Sequence, residues 1–250
     1  MQSVRSMMTD RESEINQYFD MLDFLDKNST NGYPTLNSKN NTFSIDAIHL
    51  HIMVANAYLL LYNYIEAIIT QSLSTLSEHI KNQSQPITAF KEPIQKEWLT
   101  NGLLLNDAKT SIETRLSYGL KLLEQLHTNT MHISVSKGGG GGFNNEEIVK
   151  LAKKLGIDMT VTSNMTKRLT NVNSRKYRHQ GKNKDTCMKE ITRERNRLAH
   201  GEITFGECGK NCSIPDLIVI KQVTFDYLEL FVNSMQTYIN KKEFLIPPIP

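Results

Sequence analysis

Apolar residues recur at helical spacing along most of the chain, and no convincing series of alternating strands interrupts them. The first amphipathic run predicts a helix over residues 4–27, with Ile15, Tyr18, Phe19, Leu22 and Leu25 as its apolar face. Residues 28–42 are rich in Asn, Ser, Gly and Pro and read as a loop. Ser44 then stands where a hydroxyl can cap a long helix, kinked or split, running to about Lys81. Pro86 and Pro93 punctuate the connection to a short helix around Trp98, and a longer helix is expected over 105–127. A short helix over Asn145–Leu155 ends at Gly156, another covers 186–200, and a Gly/Cys loop separates that one from a last helix over 214–241. In the last helix Leu217, Val223, Tyr227, Leu230, Phe231 and Met235 are the expected core positions. The prolines of 247–250 exclude helix at the end of the chain. The pattern is an all-α bundle, one domain over 1–250, with an inserted region at 138–185 and a tail at 243–250.

Length and composition change this picture little. A chain of 250 residues, 39% hydrophobic and 22% charged, can bury a substantial core. Its first twenty residues carry charges throughout, without the apolar segment of a secretory signal. The most apolar stretch, 52–69, is interrupted by Asn56, Asn63 and Glu66 and reads as a buried helix rather than a membrane span. A cytoplasmic protein is the expectation. Cys187, Cys208 and Cys212 give no disulfide framework. The spacing of Cys208 and Cys212 suits zinc, with Cys187 or His200 to help, but zinc sites usually show two close ligand pairs and only one is present. No metal and no cofactor are expected. The five glycines of 138–142 lack the Lys-Ser/Thr ending of a phosphate loop and read as a hinge.

Charge is more informative. Residues 167–197 hold eleven Lys/Arg against three Asp/Glu, although the whole chain carries a net charge of only +3. A basic segment on an otherwise acidic body is the footprint of a polyanion binder, and equally of a solvated loop. Lys167, Arg168, Arg175, Lys176 and Arg178, with Tyr177 for stacking and Arg193 and Arg197 beyond, are the residues expected to grip such a polyanion.

Two polar anomalies point to chemistry. At roughly 100° per residue, Met188, Ile191, Leu198 and Ala199 fall within about 60° of Arg195, so a guanidinium leaves from the middle of an apolar stripe. Such a charge requires a carboxylate, a second subunit or a cleft. His200 follows at the helix end, before a glycine suited to a left-handed cap. In the long helix Asn56, Asn63, Glu66 and Thr70 lie within about 80° of one another as a polar seam. Glu66 needs a cation or strong donor there: Arg195 is one candidate, another lysine or tyrosine or solvent the alternative.

"RNRLAHG", residues 195–201, resembles the Arg-x4-6-His signature of the HEPN superfamily, with Asn196 as its polar residue after the arginine. "LLLYNYIEAII", "GFNNEEIVKLAKKLGI", "RNRLAHGEITFGECG" and "DLIVIKQVTFDYLELFVNSM" resemble, in turn, the central helix, short helix, signature and terminal helix of the toxin-like, MAE-type branch. The resemblance implies an all-α HEPN fold and a homodimer with a composite active site. It also implies a metal-independent endoribonuclease of toxin–antitoxin or phage-defence type, partnered by RNA and an antitoxin from a neighbouring gene. By motif position, Arg195 and His200 are catalytic, Asn196 supporting and Glu66 auxiliary. A non-catalytic HEPN adaptor that binds RNA, nucleotide or protein is the alternative. The long basic stretch 161–185 and the five glycines depart from the family pattern and bear on substrate choice.

Overall fold

Helices α1 (Gln2–Asn28) and α2 (Ala47–Lys81) form the antiparallel pair on which the rest of the bundle is assembled in the computed structural model. It describes residues 1–29, 32–39, 41–102, 110–128, 142–176 and 185–247, without the side chains of 101, 102 and 172–176. Val4, Met8, Ile15, Phe19, Leu22 and Leu25 are the buried face of α1, as their spacing requires. The connection to α2 is not wholly irregular. Strands β1 (Thr35–Asn37) and β2 (Thr42–Ser44) pair as an antiparallel hairpin with Leu36 opposite Phe43.

The start of α2 also corrects the expected cap. Ser44 belongs to β2, and Asp46 caps the helix instead: its carboxylate accepts from the N–H groups of Ile48 and His49, while its own N–H donates to His49 Nδ1. The helix then continues as one element to Lys81 rather than as two. It is long and apolar enough to cross a membrane, but α1, α7 (Cys187–Ala199), α8 (Phe205–Lys210) and α9 (Ile214–Asn240) pack around it. Tyr58, Leu61, Tyr64, Ile65 and Ile68 of α2 meet Tyr227, Leu228, Phe231 and Met235 of α9 in one continuous core. Leu230, expected in that core, is half-exposed.

Helix α8 occupies what the sequence suggested was a plain Gly/Cys loop. Thr204 and Glu207 cap it reciprocally, and Gly209 lets it lie directly on α2. A Cβ at Gly209 would stand 1.8 Å from the His51 carbonyl oxygen, so no larger residue permits this approach.

Helices α3 (Glu92–Gly102) and α4 (Ile112–Thr128) pair with each other, and α3 also meets α5 (Asn145–Leu155). Positions 105–109 of the expected 105–127 helix lie outside the described residues, as do glycines 138–141 of the expected hinge. Helix α5 matches its expected bounds, with Asn144 as N-cap and Gly156 at φ +74° as C-cap. Its residues Ile148, Leu151, Ala152 and Leu155 are buried, and α9 holds it at both ends: the Tyr227 hydroxyl donates to Asn145 O and that of Tyr238 to Leu155 O. The first half of the basic stretch is helical as well. Helix α6 (Ser163–Lys176) inserts Leu169 into the core and pairs Arg168 with Asp226 of α9. Among the described residues the fold is therefore an all-α bundle with one small hairpin.

A candidate active site at the end of helix α7

Helix α7 is bounded by strong local signals. Thr186 caps its start by accepting from the Lys189 N–H. At its end Glu202 N–H donates to Arg197 O and Gly201 N–H to Leu198 O, the paired bonds of a Schellman cap, with Gly201 at φ +68°. His200 is the C-cap residue itself, and its side chain is exposed.

Arg195 lies about one and a half turns earlier and is half-buried. Its guanidinium carbon stands 4.3 Å from the centroid of the Tyr62 ring, and Nη1 donates to Asn196 Oδ1 at 2.9 Å. Of the expected apolar stripe Met188 and Ile191 are fully buried and Leu198 is buried, whereas Ala199 at the helix end is exposed, and the carboxylate sought for Arg195 is replaced by an aromatic face and an amide. A ring's negative quadrupole and partial exposure together make that position tolerable for a cation.

Tyr62 is fixed in turn. Burial, and then the Glu66 charge, push its hydroxyl above the ordinary tyrosine range, against smaller opposing effects of Arg195 and of the Phe143 N–H that it accepts. The Thr192 hydroxyl donates to Phe143 O at 2.9 Å, so α2 and α7 hold the same backbone unit between them. Gly142 leaves room for this: a Cβ there would come within 2.6 Å of Thr192 Cγ2 and 3.0 Å of the Tyr62 oxygen.

Glu66 and Arg195 form no ion pair; the charges of both act on Tyr62 instead. The polar seam faces outward rather than into the core. Asn63 and Thr70 are exposed, Asn56 and Glu66 are half-buried, and the Thr70 hydroxyl donates back to Glu66 O.

The expected RNA-gripping residues divide into three groups. Lys167 is exposed on α6. Arg168, Arg193 and Arg197 are tied to carboxylates: Arg168 to Asp226, Arg193 to Asp185 and Glu194, and Arg197 to Glu194. The side chains of Arg175 and Lys176, and the whole of Tyr177 and Arg178, lie outside the described residues.

Three residues of this region escaped the sequence reading: Tyr62, Glu190 and Glu194. Glu194 is 5% exposed and receives both Arg193 and Arg197. Glu190 is fully buried and accepts the Tyr58 hydroxyl at 2.7 Å. The available signal was spacing: Tyr62 and Glu66, like Glu190 and Glu194, are four residues apart and share a helix face. Cys208 contacts Glu194, Cys212 contacts the Ser213 carbonyl and the Tyr58 hydroxyl, and no group of three or more His, Cys, Asp or Glu with metal-holding geometry occurs among the described residues.

Neither a curated protein nor a solved structure matches this chain. A family model does, and almost from end to end: the one described as MAE_28990-like HEPN covers residues 2–244, which takes in α1, the Tyr62–Arg195 contact, the capped end of α7 and α9. The chain belongs to the MAE_28990-like HEPN family.

Proposed function

We propose that the protein is a metal-independent endoribonuclease. One observation carries the reading: a guanidinium held half-buried over Tyr62, with an exposed imidazole five residues further along at the capped end of the same helix.

RNA carries its own nucleophile, the 2′-hydroxyl next to each phosphodiester, so the protein need only move protons and stabilise charge. One His200 takes the 2′-hydroxyl proton as the 2′-oxygen bonds to phosphorus. The phosphorus–5′-oxygen bond breaks, and the departing oxygen receives a proton. Arg195 stabilises the equatorial phosphorane oxygens by charge-assisted hydrogen bonds, and Asn196 orients it. Glu66 is auxiliary through Tyr62. The products are a 2′,3′-cyclic phosphate and a 5′-hydroxyl, and DNA is not cut. In a homodimer with a composite cleft, one His200 acts as base and the other as acid. The cellular role in this reading is that of a cytoplasmic toxin or phage-defence effector, restrained by an antitoxin.

The test is cleavage of single-stranded RNA in EDTA by the parent, His200→Ala and Arg195→Ala, with folding followed by circular dichroism and end groups identified by mass spectrometry. The expected result is loss of cutting in both folded variants and cyclic-phosphate ends from the parent. Toxicity on expression, relieved by His200→Ala, is the cellular counterpart. A folded, dimeric parent that leaves RNA intact overturns the reading in favour of an adaptor.

A further inference from the structure

Beside Tyr62, between α1 and α2, runs an open groove of about 460 Å³ lined by Met7, Arg11, Asn63, Glu66, Ala67 and Gln71. Arg11 is the notable member. It is half-buried, and among the described residues it has neither an ion pair nor a hydrogen bond. Arg5, Arg168, Arg193 and Arg197 are likewise half-buried, yet each reaches a carboxylate. Arg11 and Arg195 bond to none, although Glu66 lies in the same groove as Arg11, and a partly desolvated cation with no carboxylate bonded to it is a place where an anion gains most.

The two are joined by continuous structure. Glu66 lines the groove with Arg11 and also acts on Tyr62, whose ring carries Arg195. Asn63, adjacent to Tyr62, opens into the groove with an amide that bonds to no described residue, and so does Gln71. Met7 and Ala67 add apolar surface. Cation, unengaged amides and an apolar contact in one shallow channel match the parts of a nucleotide: phosphate, base edge and base face.

We infer that this groove binds a nucleotide of single-stranded RNA flanking the phosphate that Arg195 contacts, an assignment that rests on the proposed nuclease reading. Arg11 holds the flanking phosphate, and Asn63 and Gln71 read the base edge. The Glu66 carboxylate repels phosphate and accepts from a ribose hydroxyl or an exocyclic amine, so it sets which end of the groove the backbone occupies. Sequence preference, if the enzyme has any, arises in part here, on α1 and α2, and not only in the basic stretch.

The test measures affinity rather than cutting. In a His200→Ala background, a labelled single-stranded RNA is titrated at several salt concentrations against proteins carrying Arg11→Gln, Asn63→Ala or Gln71→Ala, each checked for an unchanged melting temperature. Arg11→Gln is expected to weaken binding about five- to tenfold at low salt and to reduce the slope of log K against log salt by about 0.7, one phosphate contact on a single strand. Asn63→Ala and Gln71→Ala are expected to change the ranking of homopolymers and leave that slope alone. An unaltered affinity and slope in folded Arg11→Gln overturn the inference, as does preference for duplex over single strand. A parent that cuts RNA but binds it independently of Arg11 removes the groove and keeps the nuclease. One that binds through Arg11 and never cuts does the reverse.

Discussion

The Arg195 guanidinium rests on the Tyr62 ring, carbon to centroid 4.3 Å, and Tyr62 is only 4% exposed. The ring is thus the rigid partner and the arginine the group being positioned. Cation–π contacts contribute about 1–2 kcal/mol when partly desolvated, which in a transition state is about tenfold in rate. Tyr62→Leu should therefore lower RNA cleavage about tenfold, and Tyr62→Phe, which keeps the ring, should retain most of it. Side-chain NMR gives a readout independent of cutting: the Arg195 Nε–H resonance should be ring-shifted in the parent and in Tyr62→Phe, and unshifted in Tyr62→Leu.

Arg197 is expected to behave as a structural residue. Its partner Glu194 is buried and shared with Arg193, so removing one cation leaves the carboxylate under-compensated. Because Arg197 is itself partly exposed and Arg193 remains, the cost of Arg197→Gln is about 1–2 kcal/mol rather than that of a fully buried pair. Urea unfolding should register this loss, whereas RNA affinity of the folded fraction changes little. Lys167→Gln should show the opposite pattern, because Lys167 is exposed on α6.

Much of the fold was legible because its signals are local. The bounds of α5 and α7 follow from an oxygen-bearing cap at one end and a left-handed glycine at the other. The hairpin was not legible: three-residue strands with every position exposed carry no alternation of burial to read. Helix α6 was hidden by its polarity: among its described side chains Leu169 is the buried apolar one and Met165 packs partly buried beside it. Helix α8 did announce itself, through the Thr204-x-x-Glu207 box, and brevity obscured it. Arg195 and His200 stood out as types in the wrong setting, but their support did not. That a tyrosine on α2 lies beneath the arginine, or that Glu194 gathers two arginines, depends on how α7 is rotated against its neighbours, which periodicity leaves open.

Gly209 should be the least replaceable glycine of the described structure. A methyl at that position meets the His51 backbone at 1.8 Å, and α8 cannot keep its seat on α2. Gly206 is a matched control: its added Cβ meets Ile48 Cδ1, the far end of a flexible side chain. Overpacking typically costs about 1–3 kcal/mol, and a backbone collision belongs at or above the top of that range. Thermal melts should place Gly209→Ala well below Gly206→Ala. Equal melting temperatures would mean that α8 does not press on α2 as described.

Alkaline pH should unfold the protein through its buried acids. Burial, reinforced by the Glu190 charge, pushes the Cys187 thiol up to about 12 from an ordinary value of 9.0, and burial carries Tyr18 to about 12 from 10.0. Above pH 9 the unfolded chain releases the Cys187 proton while the native state keeps it, so the unfolded state binds fewer protons and stability falls as pH rises. The contribution is complete below pH 9 and is lost towards pH 12, at a slope approaching about 1.4 kcal/mol per pH unit for one group. Between pH 9 and 10 the tyrosines whose hydroxyls burial also pushes up, Tyr18, Tyr58, Tyr62, Tyr64, Tyr227 and Tyr238, begin to ionise in the unfolded chain as well, so Cys187 supplies one part of the slope in that interval. Cys187→Ala should flatten the stability curve there while lowering stability modestly at pH 7 through the small cavity it leaves. Chemical denaturation at half-unit steps of pH reads both effects, and an unchanged slope in the variant would show that the Cys187 thiol ionises as easily in the native protein as in the unfolded chain.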